Sequence, residues 1–379
     1  MADKIVGIQT VPREVVITNY GSLFQHYALR RVLSRLGYKS FRCEIERVSS
    51  ERGLITFPFH FIKLCFRALL KRDFSVARNY FWQWKTRCLF IYDYRSLIGR
   101  VFEEQDPKGV SAYIAGSDSV WCCTSDRMFM LDDKRRDIKK ISYAASSAWD
   151  KFGRDLEWRK CIRGVLDSYT AISVRETVGE KALKSVDESV RVDVVVDPVL
   201  LLHPSEWQAL CSNVGSKTFK RKTILYYAVN AQSSDDLDVV SINQAACLLG
   251  CEMKAIGIQG AQKFIPPKYL LHPSPTLFLS MMRDAEYVVT NSFHGVVFSI
   301  IMGKKFAFVQ QRSHVYGNQN TRQQELLSQL FLEDRVVYGA PTAESITNVL
   351  NKEIDYKRVH ALLDSERTRC INWLKEALS

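Results

Sequence analysis

No stretch of 18 uninterrupted apolar residues occurs in this chain, so no spanning helix is expected. There is no C-x-x-C pair either. Among ten cysteines the nearest spacings are Cys122 to Cys123 and Cys247 to Cys251. A structural zinc site needs two ligand pairs brought together, and neither spacing supplies them. The cysteines are expected as reduced, mostly buried thiols. The opening MADKIVGIQTVPREVV is broken by Pro12 and by charges, and lacks the order of a signal peptide. The expected location is therefore the cytoplasm. Zinc-finger spacing, an RRM signature and a heptad-linked basic region are all missing, which argues against nucleic acid as partner. Internal repeats and low-complexity tracts are missing too.

What is present fits a soluble globular protein. Its 379 residues suffice for two compact domains, and 46% are hydrophobic with 25% charged. The net charge of +12 favours anionic partners, whether membrane, nucleic acid or phosphorylated metabolites, without choosing among them.

Short apolar runs alternate with helical patterns, which predicts α/β layers with parallel sheets. Strands are expected at 14–18, 112–116, 170–174, 191–196, 223–229, 253–258 and 287–290. After NYG at 19–21 a helix should place Leu23, Tyr27, Leu33 and Leu36 near one face and stop at Gly37. The last helical stretch, 356–378, carries Val359, Leu362, Leu363, Trp373 and Leu374 and should pack back on the body. Pro204 and the polar, basic NVGSKTFKRK suggest a break near 203–222. The expected division is a first domain at 1–205, a second at 206–345 and a returning helix at 346–379.

Residues 57–92 stand apart. They mix aromatics with lysine and arginine and contain a single acid, Asp73. A basic aromatic helix of this kind can lie on an anionic membrane. It can equally be a helical insertion, around 55–100, whose aromatics pack on the domain. The first reading adds the inner face of the cell membrane to the expected location.

In open α/β sheets, ligands bind beyond the carboxyl ends of the strands. Four loops there carry unusual residues: NYGSLFQ (19–25), GSDSVW (116–121), SVRE (173–176) and TNSFHG (290–295). They supply Asn19, Gly21, Gln25, Ser117, Asp118, Asn291 and Ser292 as candidate substrate-binding residues. The helix N-termini that follow suit an anion. His294 lies where a strand hands over to a helix, and imidazole can take or return a proton near neutrality. A lone histidine there can also be a satisfied core side chain. Arg175 suits recognition of carboxylate or phosphate. Glu176 is either a catalytic acid or the far end of a capping box with Ser173. Arg322 is a second candidate cation or a residue on a solvated helix. Asp118 caps a helix or binds a ligand, and Asp197-Pro198 shapes a turn.

Taken in order, NYGSLFQHYALRRVLSRLGY, YIAGSDSVW, KKISYAASSA, AISVRETVGEKAL, DVVVDPVLLL and AEYVVTNSFHGVVFSII resemble the polysaccharide pyruvyltransferase family. The resemblance runs from about residue 15 to 330. It implies two Rossmann-like domains facing across a cleft, as in glycosyltransferase-B folds. It also implies phosphoenolpyruvate as donor substrate, with no other cofactor and no metal. The acceptor would be a lipid-linked or nucleotide-linked saccharide, a precursor of a surface polysaccharide. Two of its hydroxyls would form a cyclic pyruvate ketal, releasing phosphate. His294 matches the family histidine thought to handle the proton, Arg175 and Glu176 its arginine–acid pair, and Arg322 a basic residue beyond the histidine motif. Some members carry an arginine two residues before the histidine, where this chain has Ser292. Either Arg175 and Arg322 replace it, or the donor differs. The rival readings are a glycosyltransferase using a nucleotide sugar on the same scaffold, and a non-catalytic protein that binds anionic lipid. No glycine-rich loop is followed by an acid about 20 residues on, which counts against a ribose site.

Overall fold

The computed structural model describes residues 4–10, 19–43, 59, 61–63, 65–66, 69, 75–98, 107–118, 120–121, 131, 137–147, 155–211, 217–312, 318 and 320–379. Two wholly parallel sheets organise them. The first contains β1 (Ile5–Gln9), β2 (Lys39–Arg42), β3 (Val110–Ala115), β4 (Lys139–Ala145), β5 (Ala171–Val174) and β6 (Asp193–Val194), in the order β2-β1-β3-β4-β5-β6. Its helices are α1 (Tyr20–Arg35), α2 (Ser75–Leu97), α3 (Leu156–Leu166) and α4 (Thr177–Val186). A 3₁₀ turn, Pro198–Leu201, and α5 (Pro204–Ala209) lead to the second sheet. That sheet holds β7 (Thr223–Ala228), β8 (Glu252–Gly257), β9 (Tyr287–Thr290), β10 (Lys305–Val309) and β11 (Val336–Val337), ordered β11-β10-β9-β7-β8. Its helices are α6 (Val239–Leu248), α7 (Pro275–Asp284), α8 (Phe293–Ile301), α9 (Thr321–Gln329) and α10 (Ala343–Asn351). Finally α11 (Tyr356–Leu378) returns to the first domain.

Parallel strands are covered on both faces and so read as continuous apolar runs. TILYYA in β7 is buried at all six positions. The strand expected at 191–196 contracts to Asp193–Val194. Val195 N–H still bonds Val174 O, but the Val196 amide turns to Cys370 Sγ on α11. The strand expected at 14–18 lies outside the described residues; β1 runs through IVGIQ instead. α1 ends where the sequence places its stop. Gly37 has φ +84°, and Tyr38 N–H reaches back to Leu33 O, a left-handed C-terminal cap.

The two domains share a core. Tyr20 of α1 stacks on Phe278 of α7 at 4.6 Å between centroids, and Phe24 meets Phe298 of α8 at 5.2 Å. On α2, Phe90 packs against Tyr20, while Asp93 Oδ2 accepts bonds from Thr276 N–H and Oγ1 at the first turn of α7, both 2.8 Å. α11 closes the other side, where Trp373 Nε1 donates to Asp193. Among the described residues no helix is long and apolar enough to cross a membrane.

Chain order reverses between β1 and β3 in the first sheet, and between β7 and β9 in the second. Such switch points open a crevice at the carboxyl ends of the strands. Asn19, Ser117 and Asp118 follow one crevice; Asn291, Ser292 and His294 follow the other.

Candidate active site

The turn between β9 and α8 is held by its own backbone partners. Thr290 Oγ1 donates to Tyr227 O and accepts from Ser292 N–H. The Asn291 amide bridges to β7, its Oδ1 accepting Val229 N–H at 2.8 Å and its Nδ2 donating to Val229 O at 3.0 Å. α8 then passes so close over Thr290 that a Cβ at Gly295 would lie 2.1 Å from Oγ1. Only glycine fits there. The same is true across the cleft, where a Cβ at Gly21 would lie 2.0 Å from His294 Nδ1. The imidazole therefore rests on bare backbone at the start of α1. This contact requires both the glycine of NYG and the histidine of FHG.

Asp197 is the electrostatic centre. Its Oδ1 accepts Val199 N–H and shapes the turn before Pro198, as the sequence suggested. Its Oδ2 faces the cleft and accepts from Gln25 Nε2 (2.5 Å), Ser117 Oγ (3.3 Å) and Arg175 Nη1 (2.8 Å). His294 Nε2 stands 3.7 Å from the same oxygen. Burial alone would raise this carboxyl, but His294, Arg175 and the Val199 N–H together hold it well below the usual carboxylate range.

Arg175 is bound on three sides: Nε to Glu176 (2.8 Å), Nη1 to Asp197, and Nη2 to Ser146 Oγ (3.0 Å). Its guanidinium lies 4.1 Å over the Phe293 ring. Burial works against this charge, yet Glu176, Asp197 and Asp118 outweigh it and drive its pKa above the ordinary arginine value. Glu176 also accepts from Ser146 Oγ at 2.7 Å. The capping box with Ser173 does not form. β5 runs to Val174, so Ser173 sits in the sheet and donates to Ser142 O.

Arg322, at the start of α9, is pushed down to about 10, first by burial and then by the neighbouring Arg175 charge. Both arginines line a cavity of about 420 Å³ with Asp197, Phe293, Thr177 and Glu325. Glu325 of α9 accepts the Thr177 N–H and hydroxyl at the first turn of α4, joining the two domains there.

Thus His294, Arg175, Glu176, Gln25 and Ser117 gather around Asp197, with Arg322 beside Arg175. Asn19 Nδ2 reaches Asp118 Oδ2 at 3.4 Å while its Oδ1 caps α1. Asp118 has φ +78°, a left-handed backbone uncommon outside glycine, asparagine and aspartate. Ser292 is buried at the start of α8, its N–H donated to Thr290 Oγ1. Asn291 is less available, since both amide atoms serve Val229 and its carbonyl accepts from Gln311. The Oδ2 face of Asp197, Ser146 and Glu325 escaped the sequence reading. An acid directly beyond a strand's carboxyl end was the signal available for Asp197. Among the described residues, no three His, Cys, Asp or Glu side chains are grouped to hold a metal ion.

A UDP-GlcNAc 2-epimerase from Neisseria meningitidis, solved with UDP-GlcNAc, superposes with a TM-score of 0.51 at 10% identity, over 98% of this chain and 99% of that one. A UDP-N-acetylglucosamine 2-epimerase from Rickettsia bellii gives 0.51 at 10% identity, over 99% and 97%. These likenesses show the fold: two Rossmann-like domains of glycosyltransferase-B type. No curated protein shows a significant sequence match. The polysaccharide pyruvyl transferase profile does match, from residue 19 to 312, spanning every loop that contributes to the Asp197 cluster. The chain belongs to the polysaccharide pyruvyl transferase family.

Proposed function

We propose that this protein transfers the pyruvyl group of phosphoenolpyruvate to two hydroxyls of a saccharide precursor, forming a cyclic ketal and releasing phosphate. The observation that carries this reading is the pairing of two guanidiniums, Arg175 and Arg322, which line one cavity, with an imidazole that faces the same buried carboxylate as Arg175. The donor is a compact anion with both carboxylate and phosphate, and close guanidiniums suit it. Arg175 spends three N–H groups within the protein, and Arg322 beside it shares the grip on the donor. The charge of the family arginine missing at Ser292 is supplied from α9 and β5.

The first acceptor hydroxyl adds to C2 of the enol while C3 gains a proton and becomes methyl. The C2–O bond to phosphate then breaks, and the second hydroxyl closes the ketal, losing its proton. No oxidant or reductant is consumed. His294 takes the hydroxyl proton or relays the one bound for C3. Asp197 balances the imidazolium that results, and Glu176 keeps Arg175 in place. Asn19, Asp118, Gln25, Ser117 and Ser292, at the same strand ends, are the proposed contacts for the saccharide.

The test is to incubate the pure protein with phosphoenolpyruvate and candidate lipid-linked or nucleotide-linked saccharides. Phosphate release that requires the acceptor supports the reading. Release of a nucleotide from a nucleotide sugar, with phosphoenolpyruvate untouched, replaces it with glycosyl transfer.

Two substitutions probe the geometry. Arg322→Met should raise the donor's KM by about 10- to 100-fold, the worth of one charged hydrogen-bond pair. A lower melting temperature with an unchanged KM would make Arg322 a structural cation. Gly21→Ala drives a methyl into the His294 ring. It should cut kcat by about 10²-fold, the scale of a 1 Å misplacement, in a protein whose circular dichroism is unaltered. Ordinary kcat would mean that the ring position does not matter.

A further inference from the structure

Phe59, Ile62, Phe66 and Leu69 are 76%, 56%, 66% and 62% exposed. All four are helical, as are Phe61, Lys63 and Cys65. Steps of three, four and three residues put the four apolar side chains on one helix face. Phe61 points away from that stripe and packs on Phe81 of α2, 5.8 Å between centroids. Phe61 therefore ties this stretch to α2, while the four apolar side chains face outward. Scattered exposed apolar residues need no explanation, but a contiguous stripe of four marks a contact surface.

We infer that this stripe docks on an anionic bilayer surface. Charge selects that occupant. Residues 57–92 contain seven lysines and arginines against one acid, in a chain of net charge +12. Lys63, beside the stripe, and Lys85, on α2, are exposed. Apolar side chains accompanied by exposed cations are the pattern that partitions into an anionic interface. A second copy of this chain would bring the same positive charge against itself. The brace is firm as well. α2 stacks Trp82 on His272 of the second domain at 5.5 Å and sets Phe90 against Tyr20, next to Gly21. Nine residues of helix separate Phe81 from Phe90, about 14 Å. A membrane at the stripe would thus present a lipid-linked saccharide close to the cleft. The inference stands apart from the proposed reaction, since binding is read without turnover.

The test is co-sedimentation of the full chain with vesicles of phosphatidylcholine, alone or with about one-third phosphatidylglycerol. Binding should require the anionic lipid and weaken as salt is raised. The double substitution Phe59→Ser with Phe66→Ser should lower partitioning by about tenfold or more, since two buried aromatics are lost, with an unchanged melting temperature. Three results would overturn the inference: no binding to anionic vesicles at low salt, binding indifferent to the double substitution, or light scattering that shows a dimer which the substitution turns into monomers.

Discussion

His294→Ala should lower acceptor-dependent phosphate release by about 10²- to 10⁴-fold, the usual worth of a positioned acid–base group. The protein should stay folded. The ring lies against Gly21 in the cleft, is 8% exposed, and its Nε2 stands 3.7 Å from the Asp197 oxygen, beyond hydrogen-bond distance. Removing it therefore breaks no close hydrogen bond made by Nε2. His294→Gln is the sharper control, because it keeps polarity and most of the volume while giving up proton transfer. Both variants should bind phosphoenolpyruvate with near-ordinary affinity, because the donor's charge is carried by the arginines. A folded His294→Ala protein with normal turnover would remove the imidazole from the chemistry. It would leave the cluster around Asp197 as an ordinary domain clamp.

Much of this site was legible because its residues stand at strand ends. TILYYA and YVVT are continuous apolar runs, and such runs mark buried parallel strands whatever follows them. Once those strands are placed, Arg175 and His294 lie at carboxyl edges, where polar residues need a reason to be. Five strands escaped, β1, β2, β4, β10 and β11, the first three for an equally physical cause. β2 ends on Arg42, 6% exposed, and β4 contains Lys140, 1% exposed. Charges usually signal a surface, but here Arg42 bonds the Tyr94 hydroxyl and Lys140 donates to Leu131 O. Neither partner lies within the strand itself, one being 52 residues away and the other nine, so the strand's own pattern does not reveal them. In β1, Gly7 reads as a strand breaker, yet a Cβ there would lie 2.7 Å from the Tyr113 ring, so close packing demands it.

Asp197 illustrates the other limit. One of its oxygens serves a bond two residues away, which the Asp-Pro pair announces. The other meets Gln25, Ser117, Arg175 and His294, drawn from four separate stretches of chain. Local sequence carries the first fact and tertiary structure alone carries the second. Asn291 shows the converse error in kind. Its position suggests a free amide in the crevice, and its environment consumes that amide in stitching β9 to β7.

The strongest stability effect should come from Asp197→Ala. It leaves the buried Arg175 guanidinium without half of its counter-charge and takes a carboxylate acceptor from Gln25 Nε2 and Ser117 Oγ, which keep only their bond to each other there. Breaking a buried pair by removing one partner costs about 3–5 kcal/mol, because the surviving charge stays out of water. Arg175→Ala should cost a similar amount, for it strands Glu176 as well as Asp197. The two changes share one interaction, so their combination should fall short of the sum by about 1–3 kcal/mol in urea unfolding. Additive losses would mean that the pair is not coupled. Acid supplies a second reading of the same carboxylate. Its folded pKa is depressed, so the unfolded chain takes up the proton first as pH falls. The stabilisation is complete above about pH 5 and drains away as acidity carries the protein through the unfolded carboxyl value, about 3.9, towards the folded one. Asp197→Asn has no such group to protonate. Its unfolding free energy should start lower near neutrality and fall less steeply below pH 5, so that the two curves converge in acid. Parallel curves would show that the carboxylate is held by nothing stronger than water.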